Sequence, residues 1–140
     1  MIRKLKSCDM EQVMNIWFNG NLEAHDFVEK EYWEMHIPMV KEQLLQAEVY
    51  VYEEQGKIQG FAGMQEDYLA GIFVKKEFRG TGIGKQFLDF VKQRHEKLTL
   101  HGYEKNQRAI DFYKREGFAA ISKEMDMNTN ETEYIMVWKK

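Results

Sequence analysis

The feature that most constrains the fold is a run of apolar residues followed by a glycine-rich turn. Residues 68–74 read Tyr-Leu-Ala-Gly-Ile-Phe-Val, a pattern typical of a central strand that is covered on both faces. Residues 79–84 read Arg-Gly-Thr-Gly-Ile-Gly, and Phe87, Leu88 and Val91 then recur at helical spacing. The sequence therefore predicts a buried strand that delivers a glycine-rich turn to the start of a helix.

A turn of this kind can hold an anion. The first backbone N–H groups of a helix have no intrahelical partners and point outward, and the helix dipole favours negative charge at that end. Glycine permits a positive φ and lets a ligand approach the backbone closely. Because Arg79 and Lys85 add positive charge beside the turn, we expect it to bind a phosphate or pyrophosphate group.

The spacing within the turn argues against two common phosphate loops. A nucleoside-triphosphate loop needs Gly-x-x-x-x-Gly-Lys-Ser/Thr, whereas Arg79 stands at the first glycine position and Gln86 follows Lys85. A dinucleotide fingerprint needs Gly-x-Gly-x-x-Gly, whereas here the glycines stand at positions 80, 82 and 84. Neither an ATP-type nor an NAD-type site fits this turn.

The rest of the chain predicts helices and strands around this centre. Asp9 and Gln12 have the spacing of a helix capping box, and a second helix is predicted over residues 31–46, with Pro38 expected to bend or interrupt it. Alternating apolar residues predict a hairpin over 48–64, a further helix follows residue 106, and two closing strands meet at a turn over 128–130. With no linker, and 44% hydrophobic residues to form a core, we expect one domain over residues 1–140.

Composition limits the kinds of partner this protein can bind and indicates its cellular compartment. A net charge of −3 argues against nucleic acid as the main ligand, and no stretch is apolar enough to cross a membrane. The only cysteine, Cys8, cannot form an internal disulfide, and we expect it to be a small buried hydrophobic residue. The N-terminus lacks the apolar run of a signal peptide. Together these observations favour a cytoplasmic protein.

Two ordered motifs resemble the GNAT superfamily of acetyl-CoA-dependent N-acetyltransferases. Residues 79–84 match its Gln/Arg-x-x-Gly-x-Gly/Ala motif, and residues 106–118 (Asn-Gln-Arg-Ala-Ile-Asp-Phe-Tyr-Lys-Arg-Glu-Gly-Phe) are similar to its second coenzyme motif. Residues 25–27, 31–33 and 37–38 extend the likeness to small bacterial members. The resemblance implies an α/β fold, with a mixed, mostly antiparallel sheet of about six to seven strands, splayed beside the fourth and flanked by about four helices.

The resemblance also implies where acetyl-CoA would bind. The pyrophosphate would lie on the backbone of Arg79, Gly80, Thr81, Gly82, Ile83 and Gly84. The strand edge at Ile72, Phe73 and Val74 would bind pantetheine and polarise the thioester carbonyl. Asn106, by itself a typical helix N-cap, would lie near the coenzyme arm.

Tyr113 is implied to be the general acid. It shares an apolar helix face with Ala109 and Ile110, which by itself indicates a core aromatic residue. In the superfamily, however, a tyrosine at this motif position lies near the thioester sulfur. A phenol, with a pKa of about 10, can protonate the departing thiolate.

The sequence gives less information about the residues that would bind and deprotonate the amine acceptor. A lysine amine is less than about 0.1% neutral at pH 7, so a lysine acceptor needs a base. The candidates are Glu66, Asp67, His25 and Glu104, and we favour Glu66. Around His25, the aromatic residues Phe27 and Trp33 are candidates for the acceptor pocket.

The resulting hypothesis is direct acetyl transfer to a primary amine in a ternary complex. We favour a protein lysine or N-terminus as the acceptor; a small-molecule amine and a non-catalytic CoA-binding regulatory module are the alternatives. His25, His36, His95 and His101 show neither paired ligand spacing nor clustering with cysteine, so we expect no metal. The superfamily includes monomers and dimers, so either a monomer or a homodimer is compatible with the sequence.

Overall fold

The computed structural model describes residues 1–140 and contains seven strands, four α-helices and two short 3₁₀ turns. The strands are β1 (Ile2–Lys4), β2 (Glu48–Glu54), β3 (Lys57–Gln65), β4 (Tyr68–Val74), β5 (Lys97–Tyr103), β6 (Ala119–Asp126) and β7 (Glu131–Lys139). The helices are α1 (Met10–Ala24), α2 (Lys30–Gln46), α3 (Ile83–Lys92) and α4 (Gln107–Arg115), and the 3₁₀ turns are Ser7–Asp9 and Lys76–Phe78.

All seven strands belong to one sheet in the order β1-β2-β3-β4-β5-β7-β6. Neighbouring strands are antiparallel except β4 and β5, which are parallel. Parallel neighbours need a crossover connection, and α3 supplies it between β4 and β5. The predicted mixed, mostly antiparallel α/β fold is confirmed.

The sheet opens between β4 and β5. Their ladder contains one residue pair, Tyr68 with Thr99, supported by a 2.9 Å hydrogen bond from the Thr99 N–H to the Asp67 carbonyl. By contrast, β4 is paired with β3 along most of its length, up to Val74 opposite Gly60. The two strands are therefore joined at the start of β4 and separated at its end, which leaves a gap between them.

Each face of the sheet carries its own hydrophobic core. Helices α3 and α4 pack against one face, and the cluster on that side includes Phe87, Leu100, Ile110 and Met136. Helices α1 and α2 cover β1 to β4 on the other face, where a second cluster includes Trp17. The gap between β4 and β5 is an opening in the sheet that separates these two cores.

Two local predictions for the N-terminal half are wrong. Asp9 precedes α1 without a side-chain cap bond to it; instead its buried carboxylate pairs bidentately with Arg3, at 2.8 and 3.0 Å, and accepts from the Lys6 N–H. Cys8 is exposed in the first 3₁₀ turn and is not a buried hydrophobic residue. The ion pair explains the first correction, because it uses the carboxylate that would have capped the helix.

Pro38 does not interrupt the second helix. Helix α2 runs continuously from Lys30 to Gln46 with Pro38 inside it. The proline is exposed while Trp33 and Leu44 are buried, so the proline ring lies away from the sheet. The turn predicted at residues 128–130 does join β6 to β7.

Candidate active site

The glycine turn presents free backbone N–H groups at the start of α3. Gly80 and Gly82 have positive φ values of 78° and 89°, and Gly82 is the N-cap. The first helical bond runs from the Gln86 N–H to the Gly82 carbonyl at 3.0 Å, so the N–H groups of residues 83–85 have no helical acceptor. A Cβ added at Gly80 or Gly82 would meet nothing within 4 Å. Open space and free donors together suit a pyrophosphate.

Side chains around the turn anchor it to the rest of the protein. Arg79 donates to the Val74 carbonyl at 3.1 Å and pairs with Glu23 of α1 at 2.8 Å. Thr81 donates its hydroxyl to the Phe78 carbonyl at 2.5 Å. Ile83 is buried in the α3–α4 core, which fixes the first turn of the helix. These contacts hold the N–H groups in place before any ligand arrives.

The open edge of β4 carries the backbone groups of alternate residues. The Lys75 N–H donates to the Gln59 carbonyl of β3 at 2.8 Å, and backbone direction alternates along a strand. The N–H and C=O of Phe73 therefore face β3, whereas those of Ile72 and Val74 face the gap. Of the three residues predicted at this edge, two direct backbone groups into the opening.

Tyr113 lies in the hydrophobic core on the α3–α4 face of the sheet. Its ring is 8% exposed and packs against Phe112 and Phe118. Burial raises the pKa of the Tyr113 phenol, and the neighbouring Tyr68 raises it further. The phenol therefore remains protonated throughout the neutral range, as a proton donor must be.

A hydrogen-bonded chain links α1 to the start of α4. The Asn106 side chain accepts from the Ala109 N–H at 3.3 Å as the α4 N-cap, and its amide donates to His25 Nε2 at 3.1 Å. His25 Nδ1 lies 3.0 Å from Asn21 Oδ1, and Asn21 donates in turn to the Trp17 carbonyl. This order of donors identifies His25 as the neutral Nδ1–H tautomer, because its Nε2 accepts. The burial of His25 also favours the neutral ring, because it lowers the pKa of His25 to about 4.

The predicted acceptor residues occupy different environments. Trp33 is 6% exposed and packs edge-on against Trp17 in the α1–α2 core, so its ring is a core residue. Phe27 is half-buried and contacts the Tyr103 ring with a centroid separation of 5.5 Å. His25 uses both ring nitrogens within the protein, so it has no free lone pair to act as a base.

The other base candidates are not brought to the gap. Glu66 is exposed in the turn before β4 with a φ of 54°, at the opposite end of that strand from the glycine turn. The neighbouring Asp67 pairs with His95 at 3.0 Å. Glu104 pairs with Lys123 at 2.8 Å, and this contact lowers the pKa of the Glu104 carboxyl.

Sequence reasoning missed a cluster that lies beside the gap on the α1–α2 side, which we call the Glu133 cluster. Glu133 of β7 is 3.9 Å from His101 of β5, and the His101 ring contacts Tyr68 with a centroid separation of 5.4 Å. Tyr103 of β5 donates to Asp126 of β6 at 2.8 Å. These five residues come from four strands. The only available sequence signal was the alternation of side chains along β5 and β7, which could have indicated that some of them share a face of the sheet.

Two further findings concern metals and membranes. No group of three or more His, Cys, Asp or Glu side chains has the geometry to hold a metal ion. None of the helices combines the length and the apolar character that a membrane span requires.

The splayed sheet and the free N–H groups at α3 are compatible with an acyltransferase-type site. Residues 46–120 match the family model described as an acetyltransferase (GNAT) domain. The chain belongs to the GNAT acetyltransferase family and is an N-acetyltransferase. The predicted family and enzyme class are confirmed.

Named relatives agree with the predicted likeness to small bacterial members. Peptidyl-lysine N-acetyltransferase YiaC of Escherichia coli K12 is 35% identical over 140 residues, covering 99% of this chain and 96% of the relative. Peptidyl-lysine N-acetyltransferase YjaB of the same organism is 27% identical over 118 residues, covering 84% and 80%. The solution structure of apo YjaB from Escherichia coli superposes with a TM-score of 0.87 at 23% identity, covering 99% of this chain and 96% of that one.

A further relative carries a different kind of acceptor in its name. The 5-NmdU N-acetyltransferase of Pseudomonas phage PaMx11 is 32% identical over 85 residues, which cover 55% of this chain and 61% of the relative. The matched stretch is shorter than that shared with YiaC or YjaB. The relatives therefore include proteins named for peptidyl-lysine and a protein named for 5-NmdU.

Proposed function

We propose that this protein transfers the acetyl group of acetyl-CoA directly to the side-chain amine of a lysine in another protein. The names of YiaC and YjaB, both peptidyl-lysine N-acetyltransferases, support this acceptor class. The donor is supported by family membership and by a glycine turn whose free N–H groups suit a pyrophosphate.

The observation that carries the proposal is the gap between β4 and β5, with different chemistry on its two sides. The glycine turn and Tyr113 suit a thioester entering from the α3–α4 side. The Glu133 cluster suits a cationic amine entering from the α1–α2 side. Donor and acceptor can then meet without an intervening covalent enzyme intermediate.

Each reacting group has a role in this scheme. The pyrophosphate binds the turn from Arg79 to Gly84, and the backbone groups of Ile72 and Val74 bind pantetheine and the thioester carbonyl; Phe73 supports the strand through β3. The amine forms the N–C bond as the C–S bond breaks, and Tyr113 donates its proton to the departing sulfur. Asn106 holds the start of α4, the helix that carries Tyr113.

Cysteine chemistry is not needed for this reaction. Cys8 lies in the 3₁₀ turn between β1 and α1, and β1 is at the edge of the sheet, three strands away from β4. A Cys8→Ala variant should therefore keep wild-type turnover. Loss of turnover in a folded Cys8→Ala protein would contradict direct transfer.

The test is thiol release from acetyl-CoA against a panel of acceptors. The panel contains lysine peptides, peptides with free N-termini and blocked lysines, polyamines, amino acids, aminoglycosides and modified nucleosides. Turnover confined to lysine peptides, confirmed by mass spectrometry of the acetylated residue, supports the proposal. Turnover confined to a small amine would establish the second candidate, a small-molecule amine acetyltransferase, which the name of the phage 5-NmdU N-acetyltransferase favours.

Two outcomes of the same experiment concern the assembly and the class of protein. Tight acetyl-CoA binding without turnover on any acceptor would favour a non-catalytic regulatory module. Measuring activity per protein molecule across protein concentrations distinguishes an active monomer from an active homodimer. We propose that the protein acts in the cytoplasm in either form.

A further inference from the structure

Glu133 stands out among the carboxylates on the acceptor side of the gap. Its side chain is 19% exposed, and its only ion-pair partner is His101, with 3.9 Å between Oε1 and Nδ1. Nearby carboxylates are compensated more closely: Glu131 pairs with Lys105 at 3.2 Å and Glu104 pairs with Lys123 at 2.8 Å. Glu133 is thus a half-buried carboxylate with no lysine or arginine partner.

The position of Glu133 relative to the gap follows from the register of β5 and β7. Glu133 is opposite Tyr103, and Tyr103 contacts Phe27 and His25 on the α1–α2 side of the sheet. Residues Leu98 and Leu100 of β5 face the opposite core. Because Glu133 is paired with Tyr103, its side chain lies on the same face of the sheet, which is the acceptor side, and beyond the single β4–β5 pair at Thr99.

The surroundings of Glu133 match the two chemical parts of a lysine side chain. The rings of Tyr68 and Tyr103 offer apolar surfaces for an aliphatic stem. Asp126 contributes a second negative charge, although the Tyr103 hydroxyl and the Asn128 N–H already donate to it. An ammonium group entering here would find its strongest uncompensated partner at Glu133, and cations bind well beside aromatic faces.

Tyr68 connects this cluster to the reacting centre. Burial raises the pKa of the Tyr68 phenol, and the charge of Glu133 raises it further. Tyr68 also contributes to the raised pKa of Tyr113. The same phenol therefore lies within electrostatic reach of both the acceptor-side carboxylate and the residue assigned to protonate the thiolate.

We infer that Glu133 binds the acceptor ammonium and accepts its proton, directly or through one water, before the amine attacks the thioester. This inference rests on the proposed function and takes the role that sequence analysis gave to Glu66. The first ammonium proton passes to Glu133 and then to solvent. After the N–C bond forms and Tyr113 protonates the sulfur, the second nitrogen proton returns to the tyrosinate through water.

The groups around Glu133 set the direction of its pH dependence. Burial raises the pKa of the Glu133 carboxyl, Asp126 and Glu124 of β6 raise it further, and His101 of β5 opposes the rise. Tyr68 and Tyr32, from β4 and α2, are neutral phenols near pH 7, and burial raises the pKa of each above the ordinary value of about 10. A higher pKa makes the carboxylate a stronger base, and activity should fall on the acid side as Glu133 becomes protonated.

The test compares Glu133→Gln with Glu131→Gln, the same substitution two positions away on β7, where Lys105 already neutralises the carboxylate. Each is assayed by thiol release with every cationic amine that the wild-type protein acetylates, beginning with a lysine peptide. We expect kcat/KM to fall about 100-fold or more in Glu133→Gln. The remaining activity of this variant should no longer decrease as the pH is lowered. Acetyl-CoA affinity and melting temperature should stay near wild-type, and Glu131→Gln should remain within about twofold.

An alkoxyamine acceptor, which is uncharged at pH 7, separates proton transfer from structural damage. With this acceptor, Glu133→Gln should recover to within a few-fold of wild-type, and Glu133→Asp should retain more lysine activity than Glu133→Gln. Unchanged lysine-peptide activity in Glu133→Gln would overturn the inference, as would an equal loss with the alkoxyamine. If the wild-type protein acetylates only cationic amines other than lysine, that result contradicts the proposed lysine acceptor and not the role of Glu133. The Glu133 variants are then compared with those amines as acceptors.

Discussion

At the scale of single residues, Tyr113 is both a core residue and the proposed general acid. Its ring packs among aromatic neighbours, and burial raises the pKa of its phenol further above neutral pH. Tyr113→Phe keeps the packing and removes the proton donor. We therefore expect kcat to fall about 100-fold or more with acetyl-CoA affinity changed less than about twofold, measured by single-turnover kinetics and by calorimetry. Unchanged kcat would remove Tyr113 as the acid.

His25 is a second residue whose environment sets its charge. Its folded-state pKa is about 4, below the ordinary value of about 6.5, so the unfolded chain binds more protons between these values. Stability contributed by neutral His25 is therefore complete above about pH 6.5 and is lost as the pH falls toward 4. The free energy of unfolding should drop by about 2 kcal/mol from this group between pH 7 and pH 4.5.

Urea unfolding at several pH values measures this slope. His25→Gln preserves hydrogen-bonding capacity toward Asn21 and Asn106 without a titrating ring. Its unfolding free energy should fall less steeply than that of the wild type across the same pH window. Parallel pH profiles for the two proteins would mean that His25 is not held neutral in the folded state.

At the scale of elements, the start of α3 depends on backbone conformation as well as on side chains. Gly82 has a φ of 89°, and Gly56 in the β2–β3 turn has a φ of 78°. Neither would place a Cβ within 4 Å of another atom. Gly82→Ala and Gly56→Ala should therefore each cost about 1 kcal/mol of stability through backbone strain.

Only the substitution in the turn before α3 should affect the coenzyme. We expect Gly82→Ala to weaken acetyl-CoA binding at least about tenfold, because relieving the strain moves the free N–H groups of the loop. Gly56→Ala should bind acetyl-CoA as the wild type does. Isothermal calorimetry on both variants checks this difference, and equal affinities would contradict the phosphate-loop assignment.

Elements with local signals could be predicted from sequence, and contacts between distant elements could not. Contiguous residues form the sequence signals of the apolar strand β4, the glycine turn and the helix that carries Tyr113. The Arg3–Asp9 pair depends on β1 docking beside the first 3₁₀ turn, so Asp9 resembled an ordinary helix cap. Glu133 could not be singled out because its importance arises from the register that places it beside Tyr103 and His101.

At the scale of the whole molecule, the sheet behaves as two well-paired parts with one weak seam. Strands β1 to β4 form extended antiparallel ladders, and so do β5, β7 and β6. Across the seam the strand ladder contains a single residue pair, and side-chain contacts such as Asp67 with His95 and His25 with Asn106 supplement it. A ligand that occupies the gap and binds both sides adds contacts where the protein itself has fewest.

Acetyl-CoA should therefore protect the open edge of β4 against hydrogen exchange. The N–H groups of Ile72 and Val74 face the gap, whereas that of Phe73 faces β3. Without ligand, the first two should exchange faster than the third; near 100 Kd of acetyl-CoA, their exchange should slow by up to about a hundredfold. Residue-resolved NMR exchange measures this contrast, with Phe73 as the control within the same strand. Equal exchange at all three positions, or no change at Ile72 and Val74, would show that the coenzyme does not bridge the seam.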